Sequence, residues 1–486
     1  MLTPVGDRMQ DVELEPLDAP APDTDPAARR VRLTPRHLRR AGAVALVLLA
    51  AVVGTQLVLD ARDGDRVAAA RALPGVIGYD VDRDLPATPA GQVLGLDAGE
   101  VRVLPLVAQD QLPAVRGVDA ATGDVRWETS LAGAGTQAPP AGGPVEWPSC
   151  STGGPQVRRV ACVVLDRLPP TGDDTAGWLL GAPVRTRLVT LDTTTGAVVA
   201  AREMAPAGNG RAADGDLVVV EASGGVVRLA AQDAVTGRVR WSTGLPADPG
   251  VVDGLAQTQP QLEVTDGHVV ATLGPYAWSA RRSDGTLEAT GSAVGVGRGD
   301  RLVVTGADGL TRLAGTDGTG DVVAVGQPAS IAVDDGSAPG LELLTDSGSS
   351  SQRLRAVDHA TGVPAWETEL PGTTGTSLIL LRDVLYGADA DDVWALDVAT
   401  GTTVWRSPRN PGGADLEGLW TNPMTDGRQL LMGVRTSEDA GALRAWSLDS
   451  GERLWTTPLP QEGWGGLVIL DHVLYGTFDD PVRLGG

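Results

Sequence analysis

A short pattern that recurs along the chain constrains its fold more than any other feature. Its clearest copy, VWALDVATGTTVW at positions 393–405, contains an aspartate, a Thr-Gly pair and a tryptophan four residues after the glycine. Repetition of this kind is typical of proteins built from stacked copies of one structural unit. The strong copies contain Asp119, Gly123 and Trp127; Asp233, Gly237 and Trp241; Asp358, Gly362 and Trp366; and Asp397, Gly401 and Trp405.

Weaker copies fill most of the intervals between the strong ones. The copy at Asp192 and Gly196 has alanine in the tryptophan position, and the copy that ends with Gly451 and Trp455 has serines in place of the aspartate and the threonine. Two more copies retain only a turn. The glycines that mark candidate turns are Gly123, Gly196, Gly237, Gly285, Gly318, Gly362, Gly401 and Gly451.

Each copy predicts a β-hairpin. Val393, Ala395 and Asp397 alternate as in a pleated strand, and an aspartate side chain at the end of a strand accepts backbone N–H groups two residues further on. The glycine then adopts the positive φ that ends the turn, and the next strand presents the tryptophan at an equivalent place in every copy. Isolated hairpins are only marginally stable, so we expect the copies to pack against one another.

The spacing of the turns predicts an all-β fold, a β-propeller of four-stranded blades. The turn glycines recur at an average interval of roughly 40 to 50 residues, which is the length of one blade. We expect eight blades, or seven if the weak copies at Gly285 and Gly318 belong to the same blade.

The two ends of the chain are expected to meet in one blade. LVILDHVLYGTFDDPVRL, starting at Leu467, echoes an earlier stretch starting at Leu378, but the sequence ends before another tryptophan follows. A propeller covers its sheet edges by pairing the chain ends. We therefore expect strands near 473–478 and 482–484 to complete a blade begun by the N-terminal part of the domain.

These motifs resemble the PQQ-like β-propeller repeats found in pyrroloquinoline-quinone dehydrogenases and in many non-enzymatic relatives, among them the lipoprotein of the outer-membrane assembly machinery. The resemblance covers roughly residues 115–486. It implies that the tryptophans dock each blade on its neighbour and are packing residues. The repeat is informative about the fold and says little about activity.

The N-terminal region predicts a membrane anchor. Residues 1–40 are acidic and then Arg-rich, and they predict a disordered cytoplasmic tail. Residues 41–59 carry no charge and are long enough to cross a bilayer as a helix, and the preceding arginines favour a cytoplasmic N-terminus. A cleaved signal peptide is the alternative. We interpret residues 60–89 as a linker and 90–486 as an extracytoplasmic propeller.

The two cysteines, Cys150 and Cys162, are disulfide candidates. An even number of cysteines on the oxidising side of a membrane favours a disulfide that closes a short loop. The alternative is a pair of separately buried thiols. The four histidines are scattered without the spacing of a zinc site, so we expect no metal.

Charge and motifs argue against several classes of function. A net charge of -23 is unlike that of a nucleic-acid-binding protein. The sequence has no nucleophile elbow, Walker loop or zinc-protease motif. Quinone dehydrogenases of this resemblance have adjacent cysteines beside the quinone and a calcium held by acidic and amide groups, whereas Cys150 and Cys162 are not adjacent and no asparagine precedes an aspartate. We therefore expect neither PQQ nor calcium.

The sequence thus favours a non-enzymatic binding or assembly scaffold at the cell envelope, held in the membrane by one helix and bound to a protein or cell-wall partner outside. A PQQ-dependent dehydrogenase is one alternative and would bind its cofactor in the funnel of the ring. An envelope sensor is the other, and it would pass the binding of an external ligand to the cytoplasmic tail.

Overall fold

A computed structural model provides the structure of the chain. It falls into two compact units, Met1–Gly64 and Asp65–Gly486. The residues that it describes are 53–56, 58–89, 95–133, 147–153, 158–168, 171–173, 177–179, 181, 183–255, 258–306, 308, 310–313, 322–347, 351–371, 377–389, 391–409, 422–435, 441–460, 466–477 and 482–486.

The first unit contains helical residues at 53–56 and 58–64, where the Gln56 side chain donates a hydrogen bond to Asp60 Oδ1 at 3.1 Å. The expected tail over 1–40 and most of the expected membrane segment over 41–59 lie outside the described residues. Within the described part of the chain, we find no helix with both the length and the apolar character needed to cross a membrane.

The second unit is an all-β propeller, as predicted. Its described residues form nine blades of four antiparallel strands that follow one another up and down, and one of these blades carries a fifth, parallel strand. Strand β1 (Ala87–Pro89) belongs to blade 9. Blade 1 contains β2 (Leu96–Asp97), β3 (Val101–Val107), β4 (Pro113–Asp119) and β5 (Val125–Ser130); blade 2 contains β6 (Ser149–Thr152), β7 (Arg159–Arg167), β10 (Pro183–Asp192) and β11 (Val198–Met204), with a side hairpin of β8 (Thr171–Asp173) and β9 (Gly177–Leu179).

The next four blades continue the same order. Blade 3 contains β12 (Ala207–Ala213), β13 (Asp216–Ser223), β14 (Val226–Asp233) and β15 (Val239–Leu245), and a short helix at Pro249–Gly254 leads to blade 4. Blade 4 contains β16 (Gln261–Val264), β17 (His268–Leu273), β18 (Tyr276–Arg281) and β19 (Leu287–Gly291). Blade 5 contains β20 (Ala293–Gly297), β21 (Arg301–Thr305), β22 (Thr311–Leu313) and β23 (Val322–Ala324); blade 6 contains β24 (Gln327–Pro328), β26 (Leu341–Ser347), β27 (Ser351–Asp358) and β28 (Pro364–Pro371).

The last three blades contain two departures from simple order. Strand β25 (Ile331–Asp334) leaves blade 6 and runs parallel to the first strand of blade 7 before the chain returns to β26. Blade 9 takes three strands from the C-terminus and its fourth from β1. Blade 7 contains β29 (Leu378–Leu381), β30 (Val384–Ala388), β31 (Asp392–Asp397) and β32 (Thr403–Pro408); blade 8 contains β33 (Met424–Thr425), β34 (Gln429–Arg435), β35 (Gly441–Ser447) and β36 (Arg453–Pro458); blade 9 contains β37 (Gly466–Leu470), β38 (Val473–Thr477) and β39 (Val482–Leu484) with β1.

The predicted pairing of the chain ends is confirmed. Strands β1 and β39 are antiparallel, with Ala87 opposite Leu484 and Pro89 opposite Val482. The expectation of eight or seven blades is wrong, because the ninth blade has no turn motif. In seven other blades that motif connects the third strand to the fourth, whereas Gly318 of blade 5 lies outside the described residues. In blade 9 the third and fourth strands are β39 and β1, which lie far apart in the sequence.

The expected linker over 60–89 also needs correction. Strand β1 is part of a blade, and Val76, Ile77 and Val81 are completely buried. The Ile77 N–H donates to the carbonyl of Thr425 in blade 8 at 2.9 Å. The propeller therefore includes residues well before position 90, and we call residues 65–86 the entry segment.

Cys150 and Cys162 lie opposite each other on β6 and β7 and form a disulfide with an S–S distance of 2.07 Å. The longer interval between the first two turn motifs contains this pair and the side hairpin of blade 2. The extra length is thus divided between residues 131–148, which connect blade 1 to blade 2, and residues 168–182, which connect β7 to β10 within blade 2, and it does not add a blade.

The hydrophobic core lies mainly between adjacent blades. A cluster of sixteen buried residues, Trp278 among them, fills the interface of blades 3 and 4. In the described part of blades 5 and 6, the corresponding cluster consists of Val303, Leu313, Leu344 and Val357. The burial of apolar area, and with it the hydrophobic stabilisation, is therefore uneven around the ring.

The antiparallel order gives the ring two distinct ends. The connections between first and second strands and between third and fourth strands lie at one end, which we call the turn face. The other connections lie at the opposite end, the loop face. First strands of several neighbouring blades contact one another, which places them around the axis of the ring.

Candidate functional site on the turn face

The repeated Asp-Thr-Gly turns are held by the aspartate side chain. Asp397 Oδ1 accepts hydrogen bonds from the Thr400 N–H at 2.8 Å and from its hydroxyl at 2.7 Å, and the Gly401 N–H donates to the Asp397 carbonyl. Backbone N–H groups are bound in the same way by Asp119, Asp192, Asp233 and Asp358.

In four of these turns the hydrogen bonds favour the ionised form of the aspartate and lower its pKa. The Thr122 N–H and the neighbouring Arg126 guanidinium, which stabilise the charged carboxylate, lower the pKa of Asp119 to about 2. The pKa values of Asp192, Asp233 and Asp358 are lowered as well. Each aspartate is thus engaged in shaping its own turn.

The tryptophan of one blade docks on the turn of the next. Trp405 Nε1 donates to the carbonyl of Leu448 in blade 8 at 2.8 Å, and its side chain is only 8% exposed. The same contact, to the residue three positions before the turn glycine, recurs for Trp127 to Thr193, Trp241 to Arg282 and Trp366 to Val398.

Where a tryptophan docks on a turn, the contact requires glycine in that turn. Gly401 has φ of 68°, and a Cβ atom added to it would lie 2.6 Å from Cδ2 of Trp366. A Cβ atom on Gly196 would lie 2.5 Å from the Trp127 ring. Only glycine provides both the backbone conformation and the space.

Trp455 follows a different pattern, because blade 9 has no turn motif to receive it. Its indole N–H donates to the side chain of Gln429, and the Gln429 amide donates to the carbonyl of Val81. The Thr457 hydroxyl donates to the carbonyl of Arg83 at 2.6 Å. In blade 1 the equivalent threonine binds a turn glycine carbonyl, so the entry segment replaces the missing turn.

The entry segment enters the propeller across the turn face. Cβ of Ala70 lies 3.1 Å from the position that a Cβ atom would take on Gly427, in the turn before β34. The Arg71 guanidinium donates to the carbonyl of Asp426 at 3.0 Å. Nδ1 of His472, in the turn of blade 9, lies 2.8 Å from the carbonyl oxygen of Val76. The start of the domain is therefore fixed to turns of blades 8 and 9.

Two equivalent clefts open on the turn face. One, of about 250 Å³, lies between blades 1 and 2 and is lined by Arg126 and Arg158, and the other, of about 240 Å³, lies between blades 3 and 4 and is lined by Arg240 and Arg282. Arg126 binds Asp119, Arg240 Nε lies 2.8 Å from Asp216 Oδ1, and Arg282 binds Asp214. Most of this positive charge is thus paired within the repeat.

Interfaces that follow a blade without a motif tryptophan contain charged groups instead. After blade 2, Arg202 Nη1 lies 3.8 Å from where a Cβ atom on Gly237 would be, and burial lowers the Arg202 pKa. After blade 4, His268 lies between Glu288 and the carbonyl of Asp300, at 2.8 and 2.9 Å.

The structure brings the predicted repeat residues together in pairs across blade boundaries, but it does not gather them into one reactive centre. No group of three or more His, Cys, Asp or Glu side chains among the described residues is arranged to hold a metal ion. Sequence reasoning missed the roles of Gln429 and the entry segment. The apolar residues Val76, Ile77 and Val81 within a supposed linker were the available signal.

Comparison with known proteins identifies the repeat. Residues 337–466 match the profile of the family described as outer membrane protein assembly factor BamB. The resemblance to PQQ-like propeller repeats is confirmed. This match contains the PQQ-like copies at Gly362, Gly401 and Gly451. No curated protein sequence matches the chain.

Solved structures with a similar arrangement include PQQ-like propellers of different activity. BamB from Moraxella catarrhalis is 16% identical, with a TM-score of 0.44 over 83% of this chain and 99% of that chain. Quinohemoprotein alcohol dehydrogenase from Comamonas testosteroni is 12% identical, with a TM-score of 0.39 over 87% and 82%. The computationally designed protein Ika8 is 13% identical, with a TM-score of 0.38 over 85% and 99%.

Proposed function

We propose that this chain is a non-enzymatic binding or assembly scaffold of the cell envelope, tethered by residues 41–59 and carrying its propeller outside the cytoplasm. One observation carries the proposal: the signature residues of the repeat hold the ring together. Trp405 and its counterparts donate to the next blade, and the aspartates shape the turns. The repeats supply rigidity, and binding falls to connections that differ between blades.

The family match supports the assembly role. The family described as outer membrane protein assembly factor BamB matches three of the nine blades in part or whole, over residues 337–466. A scaffold holds partners at fixed positions and needs no reacting group. A rigid ring whose described connections differ between blades meets this requirement.

The entry segment supports binding at the loop face. It contacts the turns around Asp426 and His472, so it occupies part of the turn face. The loop face carries connections of varied composition, including 108–112 and 223–226, where Gln111 and Ser223 are exposed. We assign partner binding to this end of the ring.

Site-specific photo-crosslinking in cells tests the proposal. A photoreactive amino acid is placed in the full-length chain at Gln111 or Ser223 on the loop face, and at Thr122 or Thr400, both exposed on the turn face, as matched controls. We expect one discrete envelope partner to be crosslinked from the loop-face positions and not from the controls. Equal labelling from both faces, or none from either, would contradict the proposal.

A second experiment separates the scaffold from the quinone enzyme. The purified chain is titrated with pyrroloquinoline quinone and calcium while tryptophan fluorescence and dye-linked alcohol or sugar oxidation are followed. We expect neither saturable quenching nor turnover. Saturable binding together with turnover would replace the scaffold by a membrane-anchored dehydrogenase.

A further inference from the structure

The interface between blades 5 and 6 differs in character from the rest of the ring. Strand β23, the fourth strand of blade 5, reads Val-Val-Ala and contributes no tryptophan. Among the residues whose side chains the structure describes, four buried aliphatic residues form the apolar cluster of this interface, against sixteen between blades 3 and 4. Charged side chains take up the neighbouring space on the turn face, so the contact depends on polar groups to an unusual degree.

Glu342 is the most deeply buried of these charged groups. It lies at the start of the second strand of blade 6 and is 1% exposed. The Arg298 N–H donates to Oε1 at 3.2 Å. Oε1 also lies 2.3 Å from the position that a Cβ atom would take on Gly297, so the carboxyl group rests directly on the backbone of blade 5. Within the described chain, Oε2 has no hydrogen-bond partner.

Arg298 is a neighbouring cation, but its guanidinium binds other groups. It binds Asp334 through Nε and Nη2 at 2.8 and 3.0 Å. Its remaining N–H groups donate to the carbonyls of Ser337, Ala338 and Leu341. Arg298 therefore fixes the segment that leads into β26, and it does not neutralise Glu342 by a side-chain hydrogen bond.

Arg301 and His359 face the same region. Gly297 and Arg301 are cross-strand partners, so the Arg301 side chain lies on the side of the sheet where the Glu342 carboxyl group rests. The His359 N–H extends the ladder beside Glu342 by donating to the carbonyl of Gly340 at 2.8 Å. Arg301 Nη1 and both ring nitrogens of His359 are buried and, like Glu342 Oε2, lack hydrogen-bond partners in the described part of the chain.

We propose that the interface of blades 5 and 6 is a proton-controlled joint of the ring, in which a protonated Glu342 keeps the two blades together and its ionisation favours their separation. A neutral carboxyl group is accommodated in this buried place without a counter-ion. A carboxylate there loses its hydration and gains only one backbone hydrogen bond in return.

The pKa values of Glu342 and His359 determine how the stability of the joint changes with pH. Burial raises the pKa of Glu342 from its usual 4.5 to about 7, against the opposing influence of Arg298 and Arg301. The stabilising contribution of Glu342 is therefore complete below about pH 4.5 and is lost as the pH rises through about 7. Burial and Arg301 lower the pKa of His359, despite the adjacent Asp358, so His359 acts in the opposite sense and destabilises the joint as the pH falls below 6.5.

Hydrogen exchange of the full-length chain, corrected for intrinsic rates, measures the opening of β21 and β26 in wild type and in Glu342→Gln. Glutamine has the shape of the protonated acid and does not ionise. The ratio of the wild-type to the variant opening constant should rise about fourfold between pH 6.5 and 8, and the contribution of His359 cancels in this ratio.

Glu367→Gln is the matched control. Glu367 lies in the same blade, is exposed and binds Arg353 and Arg355, which lower its pKa. The ratio of the wild-type to the Glu367→Gln opening constant should therefore be the same at both pH values. A second variant, His359→Gln, removes the opposing group, and its own opening constant should rise about fourfold over the same range. Ratios for Glu342→Gln that are equal at both pH values, or a flat profile in His359→Gln, would overturn the proposal.

Discussion

At the scale of single residues, each boundary where a motif tryptophan docks on a turn combines a large side chain in one blade with a glycine in the next. The Trp366 ring covers Gly401, and the Trp405 ring covers Gly451 in the same way. The indole N–H meanwhile binds a carbonyl of the turn that contains the glycine. Two residues in different blades thus depend on each other, which explains why the pattern contains both.

Replacement of Trp405 by alanine should therefore destabilise the ring. The side chain is 8% exposed, and loss of a buried tryptophan costs about 3–5 kcal/mol in free energy of unfolding. Denaturant unfolding of residues 65–486 measures the change. Trp147, which is 63% exposed, is the control, and Trp147→Ala should change stability by less than about 0.5 kcal/mol. Similar effects of both variants would show that Trp405 is not a docking residue.

Two turn glycines allow backbone conformation and space to be separated. Gly401 and Gly123 both have positive φ, but a Cβ atom on Gly123 has no neighbour within 4 Å, whereas one on Gly401 overlaps Trp366. Gly123→Ala should cost about 1–2 kcal/mol for the left-handed backbone alone. Gly401→Ala should cost clearly more in the same unfolding experiment. Equal losses of unfolding free energy in the two variants would mean that the Trp366 ring makes room for the new Cβ atom without destabilising the protein.

At the scale of elements, the entry segment makes the contacts with blade 8 that a turn makes at other blade boundaries. The carbonyls of Val81 and Arg83 accept hydrogen bonds from side chains of blade 8. The Tyr79 hydroxyl donates to the carbonyl of Leu484. Strand β1 then closes the sheet. The boundary of the propeller is consequently set by packing, well inside a stretch whose composition is typical of a linker.

Deletion of the entry segment and β1 should destabilise the propeller far more than deletion of a linker would. A chain that begins at residue 90 lacks β1 and the buried Val76, Ile77 and Val81, and their burial contributes roughly 5–9 kcal/mol at 1.5–3 kcal/mol each. We expect this chain to lose cooperative unfolding, as followed by circular dichroism. The chain that begins at residue 65 should unfold in one transition. Matching transitions for the two chains would refute the role given to the entry segment.

At the scale of the whole molecule, the ring is expected to be unevenly stable. Among the described residues, the interfaces around blade 5 have the smallest apolar clusters, whereas blades 7 and 8 share a cluster that includes Trp405, Trp446 and Tyr386. Local opening should therefore be easiest in blade 5. At a single pH, amides of β21 should exchange faster than those of β30 and β34. The reverse order would show that apolar burial does not govern the stability of individual blades.

The sequence was sufficient to predict the propeller because the Asp, Gly and Trp of each copy interact locally or with the next copy. Apart from the pairing of the chain ends, it did not predict the features that depend on distant partners. The predicted number of blades was too low because blade 9 has no turn motif, and β25 was missed because nothing in its composition shows that it joins blade 7. Glu342 and His359 belong to no motif, and only the fold brings them to the same interface as Arg301.

The pairing of β1 with β39 has a consequence for the biosynthesis of the protein. Ala87 leaves the ribosome almost four hundred residues before its partner Leu484. At translation rates of about 5–20 residues per second, β1 waits for roughly 20–80 s without its neighbour in the sheet. Eight blades can form in this interval, but the ring stays open until β39 has been made. Until then the unpaired edge of β1 must be kept from the strands of other chains.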